Sequence, residues 1–360
     1  MSEVASLYIN NNIYSGWTSV SIERSIETIS GGFDLSLSDR WSGQAVRWAI
    51  KPGDACEVRL DNEVVITGYV DDVNPDISSD SYTVSVSGRD KTGDLVDCSA
   101  IHSPDEWSNL SLQELATKIA APFGINVKVN DTTGSNFEKF KIQQGEPAFE
   151  AIDRLCKMRA IMPISDGKGN IIITRAGTAT ASEALVEGKN LLNISPRFTH
   201  RERFSQYTVK AQAPGLDGMS AEDSAQVVGT AKDNGILRYR PLMIIADDNA
   251  NGVSASTRAG WEATVRAARA TTFNVSVQGW KMNNGKLWPI NALTQFTSDT
   301  LGIEKQTLLI VSTNFSKDEQ GTRTNMVLTR PDAYSLISEV KKGKSGSASG
   351  LPANTEYVKG

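Results

Sequence analysis

Apolar and polar positions alternate through most of the first 97 residues, the pattern of strands with one buried face. Val20, Ile22, Phe33, Leu35 and Leu37 each stand beside polar neighbours. Strands are predicted over 5–9, 13–22, 54–60, 64–73 and 82–87. Asn10-Asn11-Asn12, Gly31-Gly32 and Asp61-Asn62 supply the breaks. Asp61-Asn62 can take positive φ, as a tight hairpin turn requires.

Between 98 and 185 the period changes. Ser111 with Glu114 three residues on is a capping box, and Leu112, Leu115 and Ile119 follow at helical spacing, with Gly124 past the end. A short strand is predicted at 125–129. A second helix starts at Gly145-Glu146-Pro147, where proline forfeits no helical hydrogen bond, and Phe149, Ile152, Leu155 and Cys156 share one face. Residues 161–165 and 170–174 form a hairpin about Asp166-Gly167-Lys168-Gly169. Strands return at 204–212 and 236–245, joined by a polar loop around 215–235. A third helix covers 254–271, with Trp261, Val265 and Ala268 as its apolar stripe and Arg258, Glu262, Arg266 and Arg269 as its polar side. The tail from Lys341 is rich in Gly, Ser and Lys and reads as a flexible end.

One pattern is written twice. Residues 48–97 and 288–337 each open on Trp-x-Ile, at Trp48 to Ile50 and at Trp288 to Ile290. Each continues through an apolar strand (64–73; 307–315), a polar turn and a further strand. An Arg and an Asp follow (Arg89 and Asp90; Arg330 and Asp332), then a leucine (Leu95; Leu336). A period this long marks a duplicated domain, not a solenoid unit of about 20–50 residues. The expected class is mainly β (α+β), with two similar small antiparallel β-barrel domains. The expected division is a first β-barrel at 1–97, an α/β insert at 98–185, a second β-barrel at 186–340 that includes the helix, and a flexible tail at 341–360. Three copies of such a chain place six similar modules about one axis, and the repeated segments 64–73 and 307–315 are expected to face it.

The chain has 360 residues, 39% of them hydrophobic and 22% charged, with a formal charge of −5. That is a globular profile. No apolar run reaches the length of a bilayer span, and the first residues lack the basic and apolar regions of a secretory signal. Cys56, Cys98 and Cys156 are too few and too scattered for a disulfide framework or a zinc cage, so buried reduced thiols are expected. The net charge leaves no footprint for DNA or RNA binding.

Motifs that carry chemistry fail on inspection. Gly343-Lys344-Ser345 ends like a phosphate-binding loop, but Ser338 stands where the first glycine belongs. Asp247, Asn249, Asn251 and Gly252 match the start of a calcium loop, yet Arg258 replaces the glutamate that closes it. His102 and His200 share no ligand spacing with each other, and Cys98 with His102 is a pair, not a site. The neighbouring acids Asp71-Asp72 and Asp247-Asp248 point to opposite faces in extended chain, which suits solvated turns better than a general acid/base dyad. The three arginines of the 254–271 helix, diluted by Glu262, suit a subunit contact better than a nucleic-acid groove.

The segments VVITGYVDDVNPDIS (64–78), YTVSVSGRDKTGDLVDCS (82–99), QQGEPAFEAIDRLCKMR (143–159) and DGKGNIIITRAG (166–177) carry a resemblance by their order. Over nearly its whole length the chain resembles the baseplate hub proteins of Mu-like contractile-tail bacteriophages. It is also similar to the hub part of type VI secretion spike proteins. The resemblance implies a homotrimer with two barrel-like domains per subunit, forming a pseudo-sixfold ring with a channel for DNA. The implied partners are a hexameric tail tube protein, a trimeric central spike protein and other baseplate proteins, with no sequence-specific nucleic acid and no membrane insertion. The insert is expected to hang outside or below the ring. No catalytic, cofactor-binding or metal residues are implied, no cofactor and no enzyme activity. The implied location is the virion tail baseplate, assembled in the host cytoplasm. The alternatives are a β-rich cell-wall hydrolase, whose acids would be Asp71, Asp72, Asp247 and Asp248, and a carbohydrate-binding module, a class for which 7% aromatic residues is sparse.

Overall fold

Strand alternation builds most of this molecule. The computed structural model describes residues 3–38, 50–78, 82–212, 226–245 and 255–337. The first ninety residues supply β1 (Ala5–Ile9), β2 (Asn12–Tyr14), β3 (Ser19–Ser25), β4 (Gly32–Ser38), β5 (Ala55–Leu60), β6 (Glu63–Ile77) and β7 (Tyr82–Asp90). An α/β unit follows, with α1 (Gly93–Asp97), β8 (Glu106–Leu110), α2 (Leu112–Ala120), β9 (Asn126–Val129), β10 (Phe137–Lys141), α3 (Ala148–Lys157), β11 (Met162–Ser165) and β12 (Asn170–Thr174). The chain returns through β13 (Ala179–Thr180), β14 (Leu185–Val186) and β15 (Leu191–Phe198). A side module holds β16 (Gln206–Gln212), β17 (Gln226–Lys232), β18 (Pro241–Ile245) and α4 (Ala255–Arg269). Then come β19 (Thr271–Gln278), β20 (Ala292–Ser298), β21 (Ile303–Asp318) and β22 (Gly321–Thr329).

The molecule is mainly β, with two similar antiparallel regions and an α/β insert. One sheet runs β15-β19-β22-β21-β3-β4-β7-β6-β5-β1-β2, and β20 also pairs with β21. Its two halves are the same object. The order β3-β4-β7-β6-β5 in the first half matches β15-β19-β22-β21-β20 in the second. The register repeats as well. Leu35 lies opposite Val86 and Val73 opposite Val86; 240 positions later, Val275 lies opposite Met326 and Thr313 opposite Met326. Even the bulge recurs, between Val70 and Asp72 in β6 and between Ile310 and Ser312 in β21. A bulge re-aims a strand and survives only where the fold uses it. The duplication read from the sequence is therefore a duplication of topology and register.

The halves share one core. Trp17, Ile22, Phe33 and Val86 from the first half pack in the same cluster as Phe273, Trp280, Trp288 and Phe315 from the second. The insert has a core of its own, in which Leu95, Leu115, Ile119, Ile152, Leu155 and Ile171 meet. The expected capping box is present: Ser111 Oγ accepts from the Glu114 amide, and the Glu114 carboxylate accepts from the Ser111 amide at 2.8 Å. Asn10, Asn11 and Asp61 take positive φ at their turns. Gly88 is a close-approach glycine: a Cβ there would lie 2.1 Å from the Tyr69 carbonyl oxygen.

Several expectations need correction. The predicted strand 13–22 is two strands, split by Gly16 at φ +85 and the buried Trp17. The polar loop 215–235 contains β17, whose mixed composition hides a strand paired along β16. The strand expected from 236 starts at Pro241, and β8 and β10 in the insert were not anticipated. Glu262, placed on the polar side of α4, is buried, whereas Trp261 is half-buried and donates to the Ser335 carbonyl at 2.7 Å. The Arg-Asp pairs are not equivalent: 240 positions after Asp90 stands Arg330, not Asp332. Cys98 is exposed, unlike Cys56 and Cys156. Trp41, Trp48, Asp247 to Gly252 and the tail from Lys341 lie outside the described residues.

Candidate functional site

The surface that the duplication builds is the polar face of the long sheet. Period-two alternation sends Val20, Ile22, Phe33, Leu35, Val84 and Val86 into the core and leaves Ser19, Ser21, Glu23, Asp34, Ser36, Ser85 and Ser87 on the other side. The second half repeats this with Asn274, Ser276, Arg323, Asn325, Ser312, Asn314 and Ser316. Short hydroxyl and amide side chains knit the face across strands. Ser276 Oγ donates to Asn325 Oδ1 at 2.7 Å, and Asn325 Nδ2 donates to Ser316 Oγ at 3.2 Å. Asn314 Nδ2 donates to Ser21 Oγ at 2.8 Å, crossing from one half to the other. On this face the carboxylates Glu23, Asp34, Asp72, Asp76 and Asp318 outnumber the arginines Arg89, Arg197 and Arg323 among the described residues.

The halves meet where β21 pairs with β3. Only the later part of the long strand takes part, with Ser312 opposite Ser25, Asn314 opposite Glu23 and Phe315 opposite Ile22. Phe315 and Ile22 are both buried there. The corresponding part of β6, from Asp72 to Ile77, pairs with β7 on one side and has no strand on its other side among the described residues. β15 likewise pairs only with β19. Besides β2 at the far end of the path, the sheet is therefore open along late β6 and along β15 among the described residues, and each of these two edges carries apolar residues in the open: Ile77 is 72% exposed and Phe198 63%.

A buried carboxylate ties the insert to the first half. Asp90 is 2% exposed. It accepts from the Gly31 amide at 3.0 Å, the Thr92 amide at 2.9 Å and Ser165 Oγ at 2.7 Å, and from the Thr92 hydroxyl. Ser165 Oγ in turn accepts from the Gly167 amide at 3.0 Å, so the Asp166-Gly167-Lys168-Gly169 turn docks here. Arg24 donates to the Ser165 carbonyl at 3.3 Å. Burial pulls its guanidinium below the ordinary arginine value, and the negative charges of Asp90, Asp166 and Glu63 oppose that.

The residues considered for catalysis are dispersed. Asp71 is ion-paired to Arg89 at 2.8 Å, and Arg89 also holds Asp97 at 2.7 Å; the hydrogen bonds it donates to Asp97 and Asp71 keep that guanidinium above its usual value. Asp72 stands on the polar face. His102 packs edge-on against Trp107, and His200 is exposed in the loop after β15. Burial pushes the Cys56 thiol up to about 12, which keeps it protonated and inert. A cavity of about 370 Å³ beside α4 is lined by Arg197, Glu202, Glu262, Arg266 and Arg269. Its central cation is already paired, Arg266 to Glu262 at 2.9 Å and to Glu202 at 3.6 Å. The open edges escaped the sequence reading. The available signal was proline inside a strand run, Pro75 in β6 and Pro196 in β15, since proline in a sheet marks an edge.

Comparison with known proteins places these features. The model for the Mu phage baseplate assembly protein GpP-like N-terminal domain matches residues 4–90, that for the baseplate hub protein gp44-like second domain matches 92–175, and that for the GpP fourth domain matches 251–337. The baseplate hub protein gp44 of Escherichia phage Mu is 34% identical over 97% of this chain and 94% of its own length. The crystal structure of a 43 kDa tail protein from prophage MuSo2 of Shewanella oneidensis is similar at a TM-score of 0.84, with 36% identity, over 94% of this chain and all of that one. A type VI secretion component of Escherichia coli, c3393, shares the fold alone, at 9% identity and a TM-score of 0.54 over 89% of this chain and 76% of its own.

Proposed function

The chain belongs to the family of gp44-like baseplate hub proteins of Mu-type phage tails, and from that premise we propose that three copies close into a pseudo-sixfold ring joining a sixfold tail tube to a trimeric spike. The observation that carries the proposal is the junction of β21 with β3. It is a heterologous contact, the late edge of one half against the first edge of its duplicate. Contacts of that kind generate closed rings when their rotation closes. A chain that contains one such junction has already taken one step around the ring. A sixfold tube docks on six near-equivalent modules, which three duplicated chains supply and three single modules do not.

The polar sheet face lines the channel in this reading. Its side chains are short and bonded to one another, and its charge excess is acidic. An acidic wall repels a polyanion and gives DNA nothing to adhere to. The insert stays outside the ring and meets the spike or other baseplate proteins. The role is mechanical and non-catalytic, and the ring assembles in the host cytoplasm before it enters the virion tail. Analytical ultracentrifugation of the purified chain near neutral pH is expected to give the mass of a trimer, and images of the particle a ring. A monomer at micromolar concentration refutes the proposal.

A further inference from the structure

We propose that the ring is closed by a β-sheet seam in which Asp72–Ile77 of one copy pairs antiparallel with residues 194–199 of the next, Pro75 opposite Pro196. The proposal rests on the ring reading and goes beyond it, because it names the two edges and their register.

The register follows from the duplication. The intrachain junction sets Ser312 to Lys317 of β21 against Ser25 to Val20 of β3. The β21 residues stand 240 positions after Asp72 to Ile77. Val20 and Ile22 face Leu35 and Phe33 of β4; Ile194 and Pro196 face Val275 and Phe273, the same positions of β19. Carrying the intrachain junction over therefore sets Val73 against Phe198, Asn74 against Arg197, Pro75 against Pro196, Asp76 against Ser195 and Ile77 against Ile194.

Three properties of the edges fit this pairing. The core-side positions are apolar on both: Val73, Pro75 and Ile77 meet Phe198, Pro196 and Ile194. Ile77 and Phe198, 72% and 63% exposed in the single chain, become covered and extend the core across the seam. The channel-side positions are complementary in charge. Arg197 lies opposite Asn74 and diagonal to Asp76, with Asp72 on its other side, within the reach of cross-strand neighbours. The prolines also sit where the ladder tolerates them. The Ile26 amide donates to the Val311 carbonyl at 3.0 Å, and the Thr199 amide to the Ala270 carbonyl at 2.9 Å. Alternation along the strands from these bonds puts the imide nitrogens of Pro75 and Pro196 on the open side, so neither costs its own half a hydrogen bond. Falling on one rung, they concentrate the loss there, and the Val73–Phe198 and Ile77–Ile194 rungs keep both their bonds.

The test is a register-specific disulfide in the full chain. Asp76 and Ser195 are exposed and fall on a rung without ladder bonds, where cross-strand side chains lie closest. With the exposed Cys98 changed to serine, the pair Asp76→Cys and Ser195→Cys is expected to oxidise to a covalent trimer on a non-reducing gel, lost on reduction. The one-residue slip, Asp76→Cys with Ile194→Cys, is expected to remain uncross-linked, as is each single cysteine. A parent that sediments as a trimer while the in-register pair fails to cross-link, or the slipped pair cross-links equally, overturns the seam and leaves the ring standing. A monomeric parent removes the ring reading and the seam with it. Arg197→Glu is expected to shift the trimer toward monomer, and adding Asp76→Arg to restore it; no restoration counts against the register.

Discussion

Removing the Asp90 carboxylate isolates what holds the insert on the long sheet. The Gly31 and Thr92 amides and the Ser165 hydroxyl all point at it within 3.0 Å, in a site where it is 2% exposed. In Asp90→Ala no acceptor replaces it and water has little access. A buried donor left unmade costs about 1–3 kcal/mol. The Ser165 hydroxyl can rotate away, so the two amides dominate, and Arg24 loses the strongest of the negative charges that offset its burial. The expected loss is about 3–5 kcal/mol, the range for stripping one partner from a buried charged network. Asp90→Asn keeps one acceptor oxygen and is expected to lose about half as much. Urea unfolding at one fixed protein concentration reads the difference, because assembly makes apparent stability concentration-dependent. Amide exchange localises it: Gly31, Thr92 and Gly167 are expected to lose protection before the strand centres do. A loss below about 1 kcal/mol with unchanged protection refutes the account, since it means water or a neighbour satisfies those donors.

Three further outcomes follow from other parts of the molecule. Hydrogen bonds from Arg203 hold the Asp233 carboxyl below its ordinary value, so the stabilisation it gives the β16–β18 module is present above pH about 4 and disappears as pH falls through the lower folded value; the amide protection factors of that module, corrected for intrinsic exchange, are expected to fall in acid in the parent but to lose that dependence in Asp233→Asn. Gly88→Ala forces a Cβ to within 2.1 Å of the Tyr69 carbonyl and is expected to abolish soluble, folded protein, whereas Gly260→Ala, in open space within α4, is expected to raise the unfolding free energy by about 0.5–1 kcal/mol; equal effects refute the packing argument. Changing Glu23 and Asp34, acids of the polar face that lie outside the seam, to lysine is expected to give the purified particle salt-sensitive binding to non-specific DNA that the parent lacks, measured by gel shift at low and high salt, and no gain refutes the acidic lining.

The duplication was legible because strand patterning is local. A bulge, a turn and alternating side chains are written in consecutive residues, so the 48–97 and 288–337 segments could be laid side by side. The capping box at Ser111 and Glu114 is equally local. What stayed hidden depends on partners distant in sequence. β17 is a strand because β16 lies beside it, and Gln226–Lys232 lacks the alternation that would say so alone. Glu262 looked like a surface charge because its partners Arg258 and Arg266, at 3.4 and 2.9 Å, stand four residues to either side on the same polar stripe, and helical periodicity does not say which strands α4 packs against. The equivalence of the Arg-Asp pairs failed for a related reason. Motif matching aligned similar letters, whereas backbone register aligns Asp90 with Arg330, and a buried anchor with an exposed ion pair to Asp332 at 2.7 Å. The open edges were invisible in principle, since a strand run does not say how many neighbours it has, except through Pro75 and Pro196.

Duplication also explains why the two kinds of junction differ. Within the chain, Ile22 and Phe315 close the sheet with full ladder bonds and complete burial, and the covalent chain keeps them together at high effective concentration. That junction needs no protection, because its partner is always present. In the proposed seam between chains the same rung carries Pro75 and Pro196, flanked by Asp72, Asp76 and Arg197. Proline and inward or lateral charge are the devices by which exposed edges avoid promiscuous pairing. An edge that waits for another subunit has to resist every other strand it meets, and a weaker central rung with charge-matched flanks does that at the cost of about two hydrogen bonds, on the order of 1–3 kcal/mol. A hexamer of one undivided module has one sequence for all its junctions and must compromise between strength and restraint. Two linked copies let each junction take its own sequence, so in the proposed ring half the junctions are fixed on folding and only the guarded half remains for assembly.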